Sequence, residues 1–206
     1  MRIKSIRAFR NDVSRVVVYF EDRTYLTVDA LEAKRLKLAP GMEIDADQLP
    51  ALSEESRRHA ARVKAVQITG KRNLSRAELI KKLGEKGFSE EDSVSAAEWL
   101  GDLGVLDDTA YAEMLVRHYR AKGFGDLRVR EELRRRGIEK DLAVSVLADA
   151  PQDTNDAVVT FLKQKLRGKE LDEEMKRKLS AALMRRGFTW ADIQSGFLAI
   201  ERGDMD

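Results

Sequence analysis

The residues best equipped for chemistry in this chain are arginines. The hexapeptide "LRRRGI", Leu133–Ile138, sets three of them side by side ahead of a glycine, as in a nucleic-acid contact. Between Leu115 and Lys140 they join Arg117, Arg120, Lys122, Arg128, Arg130 and Lys140, against only Asp126, Glu131, Glu132 and Glu139. A second basic stretch holds Arg57, Arg58, Arg62, Lys64, Lys71, Arg72 and Arg76. A third runs through Lys163, Lys165, Arg167, Lys169, Lys176, Arg177, Lys178, Arg185 and Arg186. The chain's net charge is only +2, so any footprint on a polyanion comes from segregation of charge. Acids gather elsewhere, in "SEEDS" and the "GDMD" tail. Few aromatics accompany the basic residues, which favours backbone phosphates or an acidic protein surface over stacked bases. The same cations also suit solvated helix faces, with Glu131–Arg135 and Glu132–Arg136 as i,i+4 pairs.

Catalytic patterns are weak. His59 and His118 are the only histidines, and neither has a metal-ligand spacing. His118, in "VRHYR", reads as a helix-surface or partly buried residue. "GFG" at Gly123–Gly125 precedes Asp126, not the Lys-Ser/Thr of a phosphate loop, and reads as a helix–helix connection. Asp107 and Asp108 read as helix caps; a magnesium site needs more convergent oxygens than these two. The absence of cysteine removes disulfides, thiol catalysis and cysteine zinc sites. No catalytic, cofactor or metal residue is expected, and the chain reads as a non-enzyme. The start, "MRIKSIRAFRND", lacks a signal peptide's apolar run, and no segment reaches the ~20 apolar residues of a membrane helix. A cytoplasmic monomer is expected.

The elements that must carry the arginines follow from periodicity. "LGEKGF" (Leu83–Phe88), "LRRRGI" and "LMRRGF" (Leu183–Phe188) recur at an offset of fifty. In that register Leu79, Val129 and Leu179 align, as do Leu83, Leu133 and Leu183 four residues later on one helix face. Ala61, Tyr111 and Phe161 align, as do Val66, Val116 and Leu166, and Ala97, Leu147 and Phe197. Three helices per unit fit this pattern, in 53–104, 105–152 and 153–206. Ser75 with Glu78 forms a capping box, and Ser89, Thr189, Asp107 or Asp108, and Asp172 are further N-caps. Gly87, Gly137 and Gly187 read as left-handed helix stops, with the leucine and the residue after glycine as the apolar pair of a Schellman cap. Lys86, Arg136 and Arg186 sit at the negative helix end. Residues 1–52 differ. "RVVVYF" and "TYLTV" flank "EDR" as a hairpin, "IKSIRAF" supplies a third strand, and a helix follows from Asp29 to Leu38, ended by Pro40-Gly41. Pro50 lies near the junction.

The middle unit, "LDDTAYAEMLVRHYRAKGFGDLRVREELRRRGI" (Leu106–Ile138), resembles the central motif of the RecX family, regulators of the RecA recombinase. "RNLSRAELIKKLGEKGF" and "WLGDLGVLDD" fit the first helical unit, and residues 55–200 are covered. The resemblance implies a mainly α fold: three tandem three-helix repeats in an elongated curved rod, preceded by a small β-rich N-terminal module. It implies binding to the RecA–DNA filament, inhibition of RecA's ATPase, recombinase and coprotease activities, and DNA binding by some members. It gives no contact residues. Charge clustering selects Arg117, Arg120, Lys122, Arg128, Arg130, Arg134, Arg135 and Arg185 as RecA- or DNA-binding. A general DNA-binding helical module without action on RecA is the alternative reading, and a plain helical scaffold a third.

Overall fold

Three strands open the chain: β1 (Ile3–Phe9), β2 (Asp12–Phe20) and β3 (Tyr25–Asp29), antiparallel in the order β1-β2-β3. The computed structural model describes residues 1–9, 12–150, 154–167 and 170–203. Val18 pairs with Ile6 on one side and Leu26 on the other. "EDR" makes the hairpin turn, where the Asp22 carboxylate accepts from the Thr24 amide at 3.0 Å and its hydroxyl at 2.6 Å. Those two bonds hold Asp22 below the usual carboxylate range. Alternating β-branched residues turn Val18 and Val28 inward, with Ile3, Phe20, Ala33 and Ile44, to form a small core.

The helix expected over Asp29–Leu38 is shorter, α1 (Ala30–Arg35). Asp29 does not open it but caps it, its carboxylate accepting from the Leu31 and Glu32 amides. Lys37 then turns left-handed (φ 51), and the Leu38 amide bonds back to the Ala33 carbonyl at 2.9 Å. The helix therefore stops ahead of Pro40, which breaks nothing. Pro50 stands where the helical part begins. It lies in the first turn of α2 (Leu49–Thr69), where its missing N–H costs nothing. The expected border at 52/53 falls inside α2, whose Leu49 and Leu52 pack against the sheet's core. The Asp29 amide also donates to the Ser56 hydroxyl, tying β3 to α2.

The chain divides into two compact units, Met1–Leu106 and Asp107–Asp206. In the first, α2 is followed by α3 (Arg76–Gly84) and α4 (Glu90–Asp102). Their apolar faces meet around Ala61, Ala65, Leu79, Leu83, Ala97 and Leu100. Val66 is exposed, and Ala65 takes the inward place expected of it. The fifty-residue register is kept by the second helices, but along the first helices it slips at Val66, whose counterparts Val116 and Leu166 are buried. The capping box at Ser75 is complete: its hydroxyl accepts from the Glu78 amide at 3.0 Å and its own amide donates to the Glu78 carboxylate at 3.2 Å. Ser75→Ala is expected to cost ~1–2 kcal/mol, read as an earlier urea midpoint for the first unit. A shift no larger than that of an exposed Ser→Ala control would show the cap to be idle.

The second unit holds two three-helix sets. One comprises α5 (Asp108–Ala121), α6 (Asp126–Arg135) and α7 (Lys140–Asp149); the other α8 (Thr154–Leu166), α9 (Glu173–Arg185) and α10 (Trp190–Arg202). Each has its own core, the first around Tyr111, Val116, Val129, Leu133 and Leu147, the second around Val158, Leu162, Leu183, Ile193 and Phe197. Asp107, Asp172 and Thr189 cap α5, α9 and α10, as Ser89 caps α4. The recurrent "L…G" stops are Schellman caps. The amides of Phe88, Ile138 and Phe188 donate to the carbonyls of Leu83, Leu133 and Leu183 at 3.2, 3.1 and 3.2 Å.

The cap loop of α9 also docks on the start of α6. The Gly125 amide donates to the Arg186 carbonyl at 2.9 Å and the Leu127 amide to the Gly187 carbonyl at 3.1 Å. No side chain caps α6, so these carbonyls satisfy donors that a helix start leaves open. Among the described residues no helix is long and apolar enough to cross a membrane.

Candidate nucleic-acid interface

Helix α6 turns Val129, Glu132 and Leu133 inward. At ~100° per residue this sends Arg130 and Arg134, four apart, to the opposite face. Both are exposed. Arg134 forks onto Glu131 through two bonds of 2.8 and 2.9 Å, and that guanidinium holds the Glu131 carboxyl below its usual range. The pair stands in solvent, where water and salt screen such bridges and they add little. A phosphate can therefore replace the carboxylate at little cost. Arg130 has no ion-pair partner among the described residues, and the same holds for Lys122 and Arg185, which are exposed at the ends of α5 and α9. Arg117 is exposed on α5 and pairs with Glu113 at 3.4 Å.

The other expected contact residues have partners within the fold. Glu132 is a buried carboxylate, its side chain 8% exposed, and it is shared. Arg128 reaches it at 2.7 Å, Arg135 at 3.3 Å and the Tyr119 hydroxyl at 3.2 Å. Of the expected i,i+4 pairs, Glu131–Arg135 is not formed among the described residues: Glu131 takes Arg134, and Arg135 turns to Glu132. Glu132 points inward, so the flanking Arg128 and Arg135 reach over it. Arg136 falls at the helix cap and leaves that face, donating to the Tyr111 hydroxyl at 2.6 Å. Arg120 is not a surface group: its side chain is 11% exposed, and it joins Asp126 at 2.8 Å and the Leu147 carbonyl at 3.3 Å. It braces α5 to the start of α6 and the end of α7.

Arg136 over the Tyr111 ring and Arg186 over the Phe161 ring are one contact repeated at the fifty-residue offset, with centroid distances of 5.9 and 4.8 Å. Arg186 also donates to the carbonyls of Lys122 and Gly123 at 3.3 and 3.1 Å. The last arginine of the second and third motifs is thus structural. Sequence reasoning set Glu132 on a solvated face and missed Tyr119, because a glutamate in a highly charged helix reads as surface.

In the first unit Arg57 approaches Asp92 at 3.8 Å, Arg58 pairs with Glu54, and Arg62 lies over the Trp99 ring, linking α2 to α4. In the third basic stretch Lys176 pairs with Glu201 and Lys178 with Glu174. Lys169 and the acids of the "GDMD" tail lie outside the described residues. His118 is exposed, edge-on to Tyr119, and the His59 Nε2 lies 3.6 Å from the buried Asp29 carboxylate. Among the described residues no group of three His, Asp or Glu side chains is placed to hold a metal ion.

Two family models match: the second three-helix domain of RecX over residues 107–147 and the third over 153–195. The regulatory protein RecX of Mycobacterium sp. (strain KMS) is 32% identical over 161 residues, covering 73% of this chain and 88% of the relative. That of Clostridium perfringens (strain 13 / Type A) is 27% identical over 194 residues, covering 92% and 91%. A crystal structure of regulatory protein RecX superposes with a TM-score of 0.69 at 21% identity, covering 95% of this chain and 98% of the other. RecX from Lactobacillus salivarius gives 0.64 at 21%, covering 70% and 97%. The first of these models spans α5, α6 and most of α7, the helices that carry Arg117, Arg130 and Arg134.

Proposed function

The chain belongs to the RecX family, and from that premise we propose that it binds the filament RecA forms on DNA and inhibits RecA's ATP hydrolysis, strand exchange and coprotease activity. It acts as a cytoplasmic monomer and performs no chemistry itself. The observation that carries this reading is the family match over α5–α7 together with the exposed cations there. Arg117, Lys122, Arg130 and Arg134 lead the contact, with Arg185 from the last helical set. Arg128 and Arg135 contribute what charge Glu132 leaves them. A crowded basic face suits both DNA phosphates and acidic protein surface, and either contact blocks subunit addition or strand exchange.

The test is RecA's ATPase on single-stranded DNA, titrated with this protein. Hydrolysis is expected to fall as the protein is added. Unchanged hydrolysis alongside salt-dependent DNA affinity would replace this reading with that of a general DNA-binding module. No affinity for either DNA or RecA would leave a scaffold.

A further inference from the structure

The first unit has a cleft that no contact described so far uses. It lies between the C-terminal half of α2 and the end of α3, with a volume of roughly 410 Å³. Lys64, Lys71, Arg72, Lys82 and Lys86 line it, and Glu85 is the one acid among them. Two of the cations have local partners: Lys64 donates to the Gln67 amide oxygen at 3.3 Å, and Arg72 stands 3.6 Å from Glu78. Lys71, Lys82 and Lys86 have no ion-pair partner among the described residues.

Helix ends explain part of this. Lys71 follows α2, Lys82 lies in the last turn of α3 and Lys86 just beyond it, and each helix C-terminus carries about half a negative charge. Two such ends offset about one cation. Five cations less Glu85, and less about one for the helix ends, leave about three positive charges in a concave site, and an anion would relieve their mutual repulsion. The lining also says which anion. Ile68 is its one large apolar residue, so the aromatic and aliphatic anchors of a protein–protein contact are missing. A small-molecule site would be mostly apolar. A polyanion held through charge alone needs neither.

We infer that this cleft is a phosphate-binding site for the backbone of a nucleic acid, carried on a different unit from α6. No aromatic ring lines it, so bases are not stacked and binding is independent of sequence. Lysines suit this task as mobile point charges, without the bidentate geometry of arginine.

The test uses the full chain and a labelled oligothymidylate, with anisotropy followed across a salt series in the absence of RecA. The triple variant Lys71→Gln, Lys82→Gln, Lys86→Gln is expected to make the slope of log K against log salt shallower by about 2. A control triple, Lys4→Gln, Lys34→Gln, Lys37→Gln, carries the same charge change on exposed positions of the strand module and is expected to leave the slope nearly unchanged. Equal effects of the two triples would overturn the site, as would an unaltered slope in the cleft variant. Binding of polyglutamate that depends on the cleft, without binding of the oligonucleotide, would assign it to acidic protein segments instead. Because the assay contains no RecA, its failure leaves the ATPase result standing and is distinguishable from it.

Discussion

Gly187→Ala is expected to destabilise the second unit by ~3–5 kcal/mol, while Gly87→Ala costs ~1–2 kcal/mol. The two glycines hold the same place in the repeat and the same φ, +87°. Alanine in that left-handed conformation is strained by ~1–2 kcal/mol at either position. Their surroundings differ. A Cβ on Gly87 meets nothing within 4 Å, whereas one on Gly187 would lie 2.9 Å from the Arg128 Cα and closer still to its amide nitrogen and Cβ. Those are backbone-anchored atoms that cannot step aside. Relief requires the α9 loop to lift off α6, which breaks the bonds from Gly125 and Leu127, ~0.5–1.5 kcal/mol each. The two tryptophans separate the readouts. Trp99 lies in the first unit and Trp190 in the second, so urea unfolding of Trp→Phe backgrounds follows each unit alone. Amide exchange at Gly125 and Leu127 should accelerate in Gly187→Ala only. Similar midpoint shifts for the two variants would show that the joint adds nothing.

Charge reversal on α6 has the second large effect, and it depends on which arginines are chosen. Arg130→Glu with Arg134→Glu is expected to raise the protein concentration for half-inhibition of RecA by on the order of 10–100-fold, the equivalent of two charge-assisted contacts. Both side chains are exposed, and neither touches the buried Glu132, so the fold should persist. Arg128→Glu with Arg135→Glu is a different experiment. It removes both cations from Glu132 and sets two carboxylates beside a third, at a cost of ~3–5 kcal/mol. Inhibition would then be lost through unfolding, and the variant would say nothing about contact. Full inhibition by a folded Arg130/Arg134 double variant removes α6 from the proposed interface.

What could be read in advance was local. Ser75 with Glu78, Thr189 with Asp192, and the leucine-to-glycine stops are all decided within about six residues, so their chemistry stands in the string itself. The hairpin around "EDR" is of the same kind. The misjudged features depend on distant partners. Val66 and Ala65 are equally plausible inward residues until α3 and α4 choose between them. Arg120 looks like its exposed neighbours until Asp126 and the Leu147 carbonyl enclose it. "KGFGD" did hold a clue to the joint. Gly123 has φ +73, as a helix stop requires, but Gly125 has φ −80, which any residue adopts. Its want of a side chain therefore answers to space: a Cβ would come within 2.7 Å of the Phe188 amide nitrogen and nearer still to the Gly187 carbonyl. A glycine that needs no special angle is a sign of something pressed against it.

The loop that closes α9 supplies the carbonyls at the head of α6, and this sets an order of events during synthesis. A ribosome adds ~5–20 residues each second, so the ~60 residues separating Gly125 from Arg186 take on the order of 3–12 s. Through that interval the Gly125 and Leu127 amides stay turned to water, while the core of the middle set already holds Val129 and Leu133. The head of the basic helix is closed only when the last set emerges and supplies those two carbonyls. A nascent chain halted before Arg186 should therefore exchange the Gly125 and Leu127 amides freely.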